Sequence, residues 1–518
     1  MTTGSRTRNY VVSLASGYAL TAFTVLVGLW LTPYTLRFLD REQYAIFSLA
    51  SDVLMWLGLL DLGITAGLRV HAAKLMGRPD QERLNRLAST AFFAQLVVVG
   101  CILAAGAVLG AGLPHFFDVR PDLQHEAGVL MVLMCVATAM SMGTQAFSGI
   151  LIASQQQHVD NYIGILLLVI RTVLTVVLLH AGWGVLSLAV AQLAAKATTS
   201  VLAIARVYKF LPGLTIRLRL ASWDVFKDLW HVSIWFSLGG LAGVFNSGLD
   251  RIVTAKVLNL GLVTTLSLTG RLYYLATDLV GRITDAARPM LGQLFGEEKK
   301  QAALHTYRNL FVLSTGVGMV IALSIFAGNA TFVSTWVGRI NYGGWLLDLA
   351  FVAAMLRSLW GLPNRAVLSS NLQVRPQTLV GLGEGLLNLA LSVWFAKMWG
   401  VVGVILGTVA AGLLTSMWLL PLLTARMFGE SFKTLVLPDM AIAAKLLLAT
   451  APVALLGRFA AVSVGGYVGA ILGMLTTVVG GSACLWFLAL DDALRDRISR
   501  LLGQGILAMK TKVARYSS

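Results

Sequence analysis

The chain has 518 residues, 57% of them hydrophobic and only 12% charged, and its formal net charge is +16. A soluble chain carries about a quarter charged residues, whereas apolar stretches here recur from Tyr10 to Leu490. A secreted domain, a nucleic-acid-binding module and a soluble enzyme with one anchor are excluded, which leaves a polytopic, all-α membrane protein.

A helix needs about 20 mostly apolar residues to cross a bilayer. In chain order the sequence predicts fourteen such spans, at 10–32, 44–68, 87–110, 126–152, 160–180, 184–205, 230–249, 262–283, 308–327, 345–369, 376–397, 401–424, 438–457 and 464–490. The first follows Arg6 and Arg8 as a signal peptide would. It is too long for one and lacks an A-x-A-type exit, so it counts as a span. After Leu490, the residues Leu494, Ile498, Leu501, Leu502, Met509 and Val513 fall at helical spacing with Arg495, Arg497 and Arg500 between them. That pattern predicts an interfacial amphipathic helix. Cys101, Cys135 and Cys484 all lie in apolar runs without metal-ligand spacing.

An even number of spans puts both termini on one side. With that side cytoplasmic, the inner segments hold 26 of the 40 Lys and Arg. The outer loops hold eight: Arg37, Arg41, Arg120, Arg251, Lys256, Arg339, Lys397 and Arg458. This is the positive-inside bias of a plasma-membrane protein. The net charge is therefore an orientation and lipid-headgroup signal, and no nucleic-acid partner follows from it.

The chain also repeats. Sliding it by 219 residues lays 35–77 on 254–296 with ten identities, among them Thr35/Thr254, Ser48/Ser267, Ile64/Ile283, Arg69/Arg288 and Gly77/Gly296. The shift preserves span order and side, so the repeat is parallel. The predicted organisation is an N-lobe over 1–215, a C-lobe over 216–430, two additional spans over 431–490 and a cytoplasmic tail over 491–518. Two parallel halves around a midplane site is the plan of a transporter that works by alternating access.

Charges inside the bilayer are costly and mark function. Arg171, Lys196, Arg271, Arg357 and Arg365 lie within predicted spans, and Arg357 and Arg365 flank Pro363, which is expected to break its helix. Lys445, near a span end, can snorkel. A set of cations at the midplane suits an anionic substrate, above all a phosphate or pyrophosphate. Arg37 and Arg251 sit at the outer mouth. The acids Asp52, Asp61, Asp278 and Glu384 are candidates for proton or sodium coupling or for balancing those cations, and Asp348 is a further acid within a span. Tyr18, Trp30, Trp56, Trp235, Tyr273, Tyr274 and Trp360 are available for a lipid tail or sugar faces. No phosphate-binding G-x-x-x-x-G-K-[ST] loop or H-E-x-x-H motif occurs, and His115, Asp118, Asp122 and His125 read as loop residues, so no catalysis, metal or organic cofactor is expected.

The stretch FLDREQYAIFSLASDVLMWLGLLDLGITAGLRVHAAK (38–74) resembles the second-span signature of Wzx-type polysaccharide flippases, which belong to the multidrug/oligosaccharidyl-lipid/polysaccharide exporter (MOP) superfamily. Asp61-Leu62-Gly63 matches the family's Asp-Leu-Gly, while Ala45 replaces the Gly that usually follows Tyr44. GLDRIVTAKVLNLG (248–261) is similar to the seventh-span exit with its Asp250-Arg251 pair, and GVVGVILGTVAAG (400–412) to the twelfth-span opening. The resemblance implies a fold like that of the superfamily's multidrug exporters (MATE). It also implies translocation of an undecaprenyl-diphosphate-linked oligosaccharide from the cytoplasmic to the periplasmic leaflet, with polymerase or assembly proteins as partners. The rival expectation is a cation-coupled exporter of drugs or other small molecules. It is weakened because 10–36 carries no charge.

Overall fold

The computed structural model describes residues 3–490 except Leu62, Arg78, Pro79, Gln155 and Leu372, together with Asp492, Arg495, Asp496 and Ser499. Most of the amphipathic tail predicted after Leu490 lies outside the described residues. Within them the chain is helical from end to end, with no strand. The helices are α1 (Thr3–Thr35), α2 (Arg41–Gly58), α3 (Ile64–Gly77), α4 (Gln81–Phe116), α5 (Gln124–Ala153), α6 (Gln157–His180) and α7 (Leu186–Phe210). Then come α8 (Trp223–Ser247), α9 (Leu249–Val253), α10 (Leu260–Thr269), α11 (Arg271–Gly296), α12 (Lys300–Val337) and α13 (Trp345–Ser370). The series ends with α14 (Val374–Leu414), α15 (Ser416–Phe428), α16 (Phe432–Val464) and α17 (Gly466–Leu488).

Eleven stretches of the described residues are long and apolar enough to cross a membrane, against the fourteen predicted spans. The difference falls at three places. The predicted seventh and eighth spans correspond to α8 and to the pair α10–α11, and the eleventh and twelfth form one continuous helical stretch, Val374–Phe428. That stretch is nonetheless two helices. At Trp399 and Gly400 the backbone leaves the helical region, with Gly400 at φ +60° and ψ −140°. A Cβ on Gly403 would lie 2.0 Å from the Phe395 carbonyl oxygen, so only glycine lets the second arm fold back on the first. Ser392 closes the hairpin by donating its hydroxyl to the Val404 carbonyl at 2.9 Å.

The predicted span 44–68 is interrupted as well. Gly63 takes φ +76°, a left-handed value open to glycine, and Asp61 caps the helix that follows. Its carboxylate accepts from the Thr65 amide at 3.2 Å and from the Thr65 hydroxyl at 2.8 Å. Asp61 and Gly63 thus mark a capped break between α2 and α3.

The repeat reappears in backbone detail. Asp40 caps α2 by accepting from the Gln43 amide at 2.8 Å. Asn259 caps α10 by accepting from the Leu262 amide at 2.9 Å. Both donor and acceptor are displaced by the same 219 residues as the sequence repeat, and α3 and α11 end at the paired glycines Gly77 and Gly296.

The chain divides into two compact units, residues 1–267 with 381–404, and residues 268–380 with 405–518. In the first unit a continuous core runs through Ile46, Leu49, Leu68, Leu87, Leu130 and Leu151. There α4 and α5 approach backbone to backbone, since a Cβ on Gly128 would lie 2.6 Å from the Gly110 oxygen. Small residues at such crossings drive helix association in a membrane, where burial from water is not available. In the second unit α16 and α17 meet in the same way at Gly457 and Gly473 and pack on α12.

Candidate functional site

In the first unit, polar side chains line up inside apolar helices. Thr65 donates its hydroxyl to the Gln145 side chain at 2.8 Å, and Gln95 donates to the Thr65 hydroxyl at 2.9 Å while accepting from the Ala146 amide. These bonds join α3, α4 and α5 around Asp61. Arg171 on α6 and Lys196 on α7 lie on packed neighbours, close enough that Lys196 feels both Arg171 and Asp160. The Lys196 ammonium donates to the Ser141 hydroxyl at 3.1 Å, and Ser148 donates to Asp160 at 2.8 Å. Lys196 and Arg171 are thus neighbouring cations within apolar helices, with Asp160 as a nearby carboxylate.

The loop end of the same unit carries a lattice of ion pairs. Asp52 is buried on α2 and pairs with Arg251 on α9 at 3.1 Å. Arg120 bridges Asp40 at 2.8 Å and Glu42 at 3.2 Å. Lys256 donates to the Phe116 carbonyl at 2.6 Å and pairs with Asp118 at 3.4 Å. Arg41 donates to the Gly261 carbonyl and the Thr265 hydroxyl, and Thr264 donates back to the Arg41 carbonyl. The starts of the repeat-related helices α2 and α10 are thereby tied directly to each other. Arg37 is exposed. On the first arm of the α14 hairpin, Glu384, Asn388 and Ser392 form a fully buried polar stripe, and Asn388 donates to the Phe245 carbonyl of α8.

In the second unit Arg271 opens α11 directly after Gly270, where a Cβ would strike the Phe351 ring at 2.5 Å. Its guanidinium Nε is buried. Asp278, two turns along, is exposed. Arg357 and Arg365 are half-buried on α13. The break expected at Pro363 is absent, because α13 runs unbroken through it. The Asn364 amide next to the proline donates to the Trp360 carbonyl at 3.0 Å, and Tyr307 donates to Asn364. Two of the aromatics singled out above are committed to packing: Tyr273 stacks on Phe351, and Trp360 packs edge-on against Phe311 while donating to the Met417 carbonyl.

Sequence reasoning missed one cluster here. Arg458 was expected in an outer loop, but α16 continues to Val464 and carries Arg458 inward, where it pairs with the fully buried Asp348 at 3.3 Å. Arg458 also donates to the Phe326 carbonyl at 2.7 Å and to the Tyr342 hydroxyl at 2.9 Å. Asn329 and Tyr342 donate to the same carboxylate. In the connection between α12 and α13, burial and then the Asp348 charge push the Tyr342 phenol up, so it remains a donor. Ala454, Gly457 and Ala461, all buried, lie on the helix face next to Arg458. Among the described residues no three His, Cys, Asp or Glu side chains gather as a metal site requires.

The comparisons agree with this architecture. Residues 11–295 match the profile of the family described as polysaccharide biosynthesis protein. The chain is 20% identical to the uncharacterized membrane protein EpsK of Bacillus subtilis over 79% of its own length and 82% of that protein. It is 22% identical to a putative O-antigen transporter of Salmonella typhi over 80% of itself and 96% of that protein. Among solved structures, an inward-facing multidrug resistance MATE transporter of the MOP superfamily aligns at a TM-score of 0.62 and 17% identity, covering 79% of this chain and 97% of the other. A MOP superfamily transporter from Pyrococcus furiosus, described as having a binding pocket of reverse polarity, aligns at 0.56 and 16% identity over 82% and 96%. The chain therefore belongs to the polysaccharide biosynthesis protein family, in agreement with the Wzx-type resemblance of its motifs, and is a polytopic membrane protein of the MATE-like fold.

Proposed function

We propose that this protein is a flippase that moves an undecaprenyl-diphosphate-linked oligosaccharide, an O-antigen or exopolysaccharide repeat unit, from the cytoplasmic to the periplasmic leaflet by alternating access. The observation that carries the reading is the set of cations held within apolar helices of both units: Arg171 and Lys196 in the first, Arg271, Arg357 and Arg365 in the second. A diphosphate offers each of them an acceptor that lipid cannot. Family membership and the putative O-antigen transporter among the relatives support the same substrate class.

Arg37 and Arg251 act at the outer end, where Asp52 holds Arg251 until substrate or a coupling ion exchanges with it. Asp61, Asp278 and Glu384 remain with Asp52 as the coupling groups for a proton or sodium ion. The protein sits in the bacterial inner membrane with both termini cytoplasmic, as the bias of basic residues supports, and hands its product to polymerase or assembly proteins.

The test is the leaflet distribution of lipid-linked oligosaccharide in source cells with and without this protein. The intermediate should accumulate in the cytoplasmic leaflet without it. Wild type should restore export, and Arg271→Ala should not, although it reaches the membrane in normal amount. Normal distribution in the deleted strain overturns the flippase reading, and normal export by Arg271→Ala removes the site assignment.

A further inference from the structure

We infer that the first unit carries a binding site for one acidic phospholipid, built from α4 and the start of α8 and separate from the cations assigned to substrate. It begins with an unusually well-fastened connection. Between α7 and α8 the chain runs along the first turns of α4, where three side chains catch its backbone. Asn85 accepts from the Thr215 amide at 3.1 Å and donates to the Gly213 carbonyl at 3.4 Å. Ser89 accepts from the Arg217 amide at 3.2 Å, and Thr90 from the Ser222 amide at 3.0 Å. Leu214 is buried beneath this clasp.

The clasp delivers Trp223 to the first position of α8. Trp223, Phe226 and Trp230 then share one helix face, with the first two rings stacked at 5.0 Å and the next pair at 5.9 Å. This ladder and Phe93, Ala94 and Val97 of α4 line an open apolar groove of about 440 Å³. That is the size of an ordinary ligand pocket. A second open groove of about 590 Å³ shares the three rings and is bordered by Lys227 and Asp228. Rings fixed in a stack form a rigid wall against which an extended acyl chain can lie, and Trp favours the depth where tail meets headgroup.

Charge selects the headgroup. Residues 206–228 hold five basic residues, Arg206, Lys209, Arg217, Arg219 and Lys227, against the acids Asp224 and Asp228. Asp224 lies 3.9 Å from Lys227, which leaves Arg206, Lys209, Arg217 and Arg219 exposed and without an ion pair among the described residues. Of these, Arg217 is held through its amide by Ser89, the neighbour of the lining residue Thr90, and Arg219 follows two residues before the lining residue Ala221. Two guanidinium groups without an acidic partner, on the segment that leads into the slot, match a phospholipid with a net negative head and disfavour a zwitterion. Under the orientation proposed above, this end faces the anionic cytoplasmic leaflet.

The experiment titrates delipidated full-length protein in detergent with phosphatidylglycerol or phosphatidylcholine and counts bound lipid by native mass spectrometry. Wild type should retain one phosphatidylglycerol in preference to phosphatidylcholine. Each cation removed should weaken that preference about fivefold, so Arg217→Gln/Arg219→Gln should lose roughly 25-fold. Val97→Trp should fill the groove and abolish retention of the lipid. Val97 is 68% exposed, so this variant should melt as wild type does. Equal binding of the two lipids, or an unchanged affinity in the arginine double variant, overturns the acidic headgroup. Wild-type retention by Val97→Trp overturns the groove.

Discussion

Replacing Arg458 with Leu tests how the last two helices are held. The Asp348 carboxylate has no exposure, and Arg458 keeps 17% of its side-chain surface. Removing one partner of a buried pair costs about 3–5 kcal/mol, because the other charge is left without compensation. Asp348 would still accept from Tyr342 and Asn329, which places the loss near the lower end, about 3 kcal/mol. Arg458 also lies 4.6 Å from the Phe326 ring centroid, and that contact would go with it. For a unit of roughly 200 residues such a loss lowers the melting temperature by about 6–12 °C. Polar pairs between membrane helices average only about 0.6 kcal/mol, so a shift of this size would identify the charge as its source. Tryptophan-fluorescence melts of the detergent-purified protein read it directly. Arg458→Leu/Asp348→Asn should recover most of the loss, because no buried charge then remains. An unchanged midpoint in the single variant, or a double variant no more stable than the single, would refute the reasoning.

Two further pairs of substitutions follow from the backbone. Asp40→Ala and Asn259→Ala remove equivalent caps and should each cost about 1 kcal/mol, read as similar drops in melting temperature; a neutral Asn259→Ala would mean that the second cap carries no load. Gly403→Ala forces a carbon against the Phe395 carbonyl and should sharply reduce the monodisperse fraction on size exclusion, whereas Gly292→Ala, with open space around its Cβ, should leave it unchanged.

Much of the fold was legible because hydropathy over about 20 residues reports burial in lipid directly. It missed the bend after Asp61, which hinges on one left-handed glycine, Gly63, a signal far smaller than the apolar runs on either side. The hairpin at Trp399 and Gly400, by contrast, falls in the gap between the predicted spans 376–397 and 401–424. At Pro363 the error went the other way. A proline removes one backbone donor, here the one facing the Leu359 carbonyl, and the buried packing of Leu359, Trp360, Pro363 and Asn364 holds α13 continuous across that gap. Among the candidate charges, Lys196 and Arg171 were recognisable because each stands alone in an apolar run. Arg458 was not, because it lies six residues from the end of α16, where an arginine looks the same whether it snorkels out or reaches in. Only Asp348, 110 residues away, decides which.

That separation has a consequence for how the protein is made. At synthesis rates of about 5–20 residues per second, the Asp348 carboxylate leaves the ribosome roughly 5–20 s before its arginine. During that interval its company is limited to residues already translated, Asn329, Tyr273 and Tyr342. A nascent chain that stops short of α16 leaves that carboxylate without its arginine. Arrival of α16 supplies the counter-charge, so the polar core of the second unit closes only after every other residue that bonds Asp348 has been made.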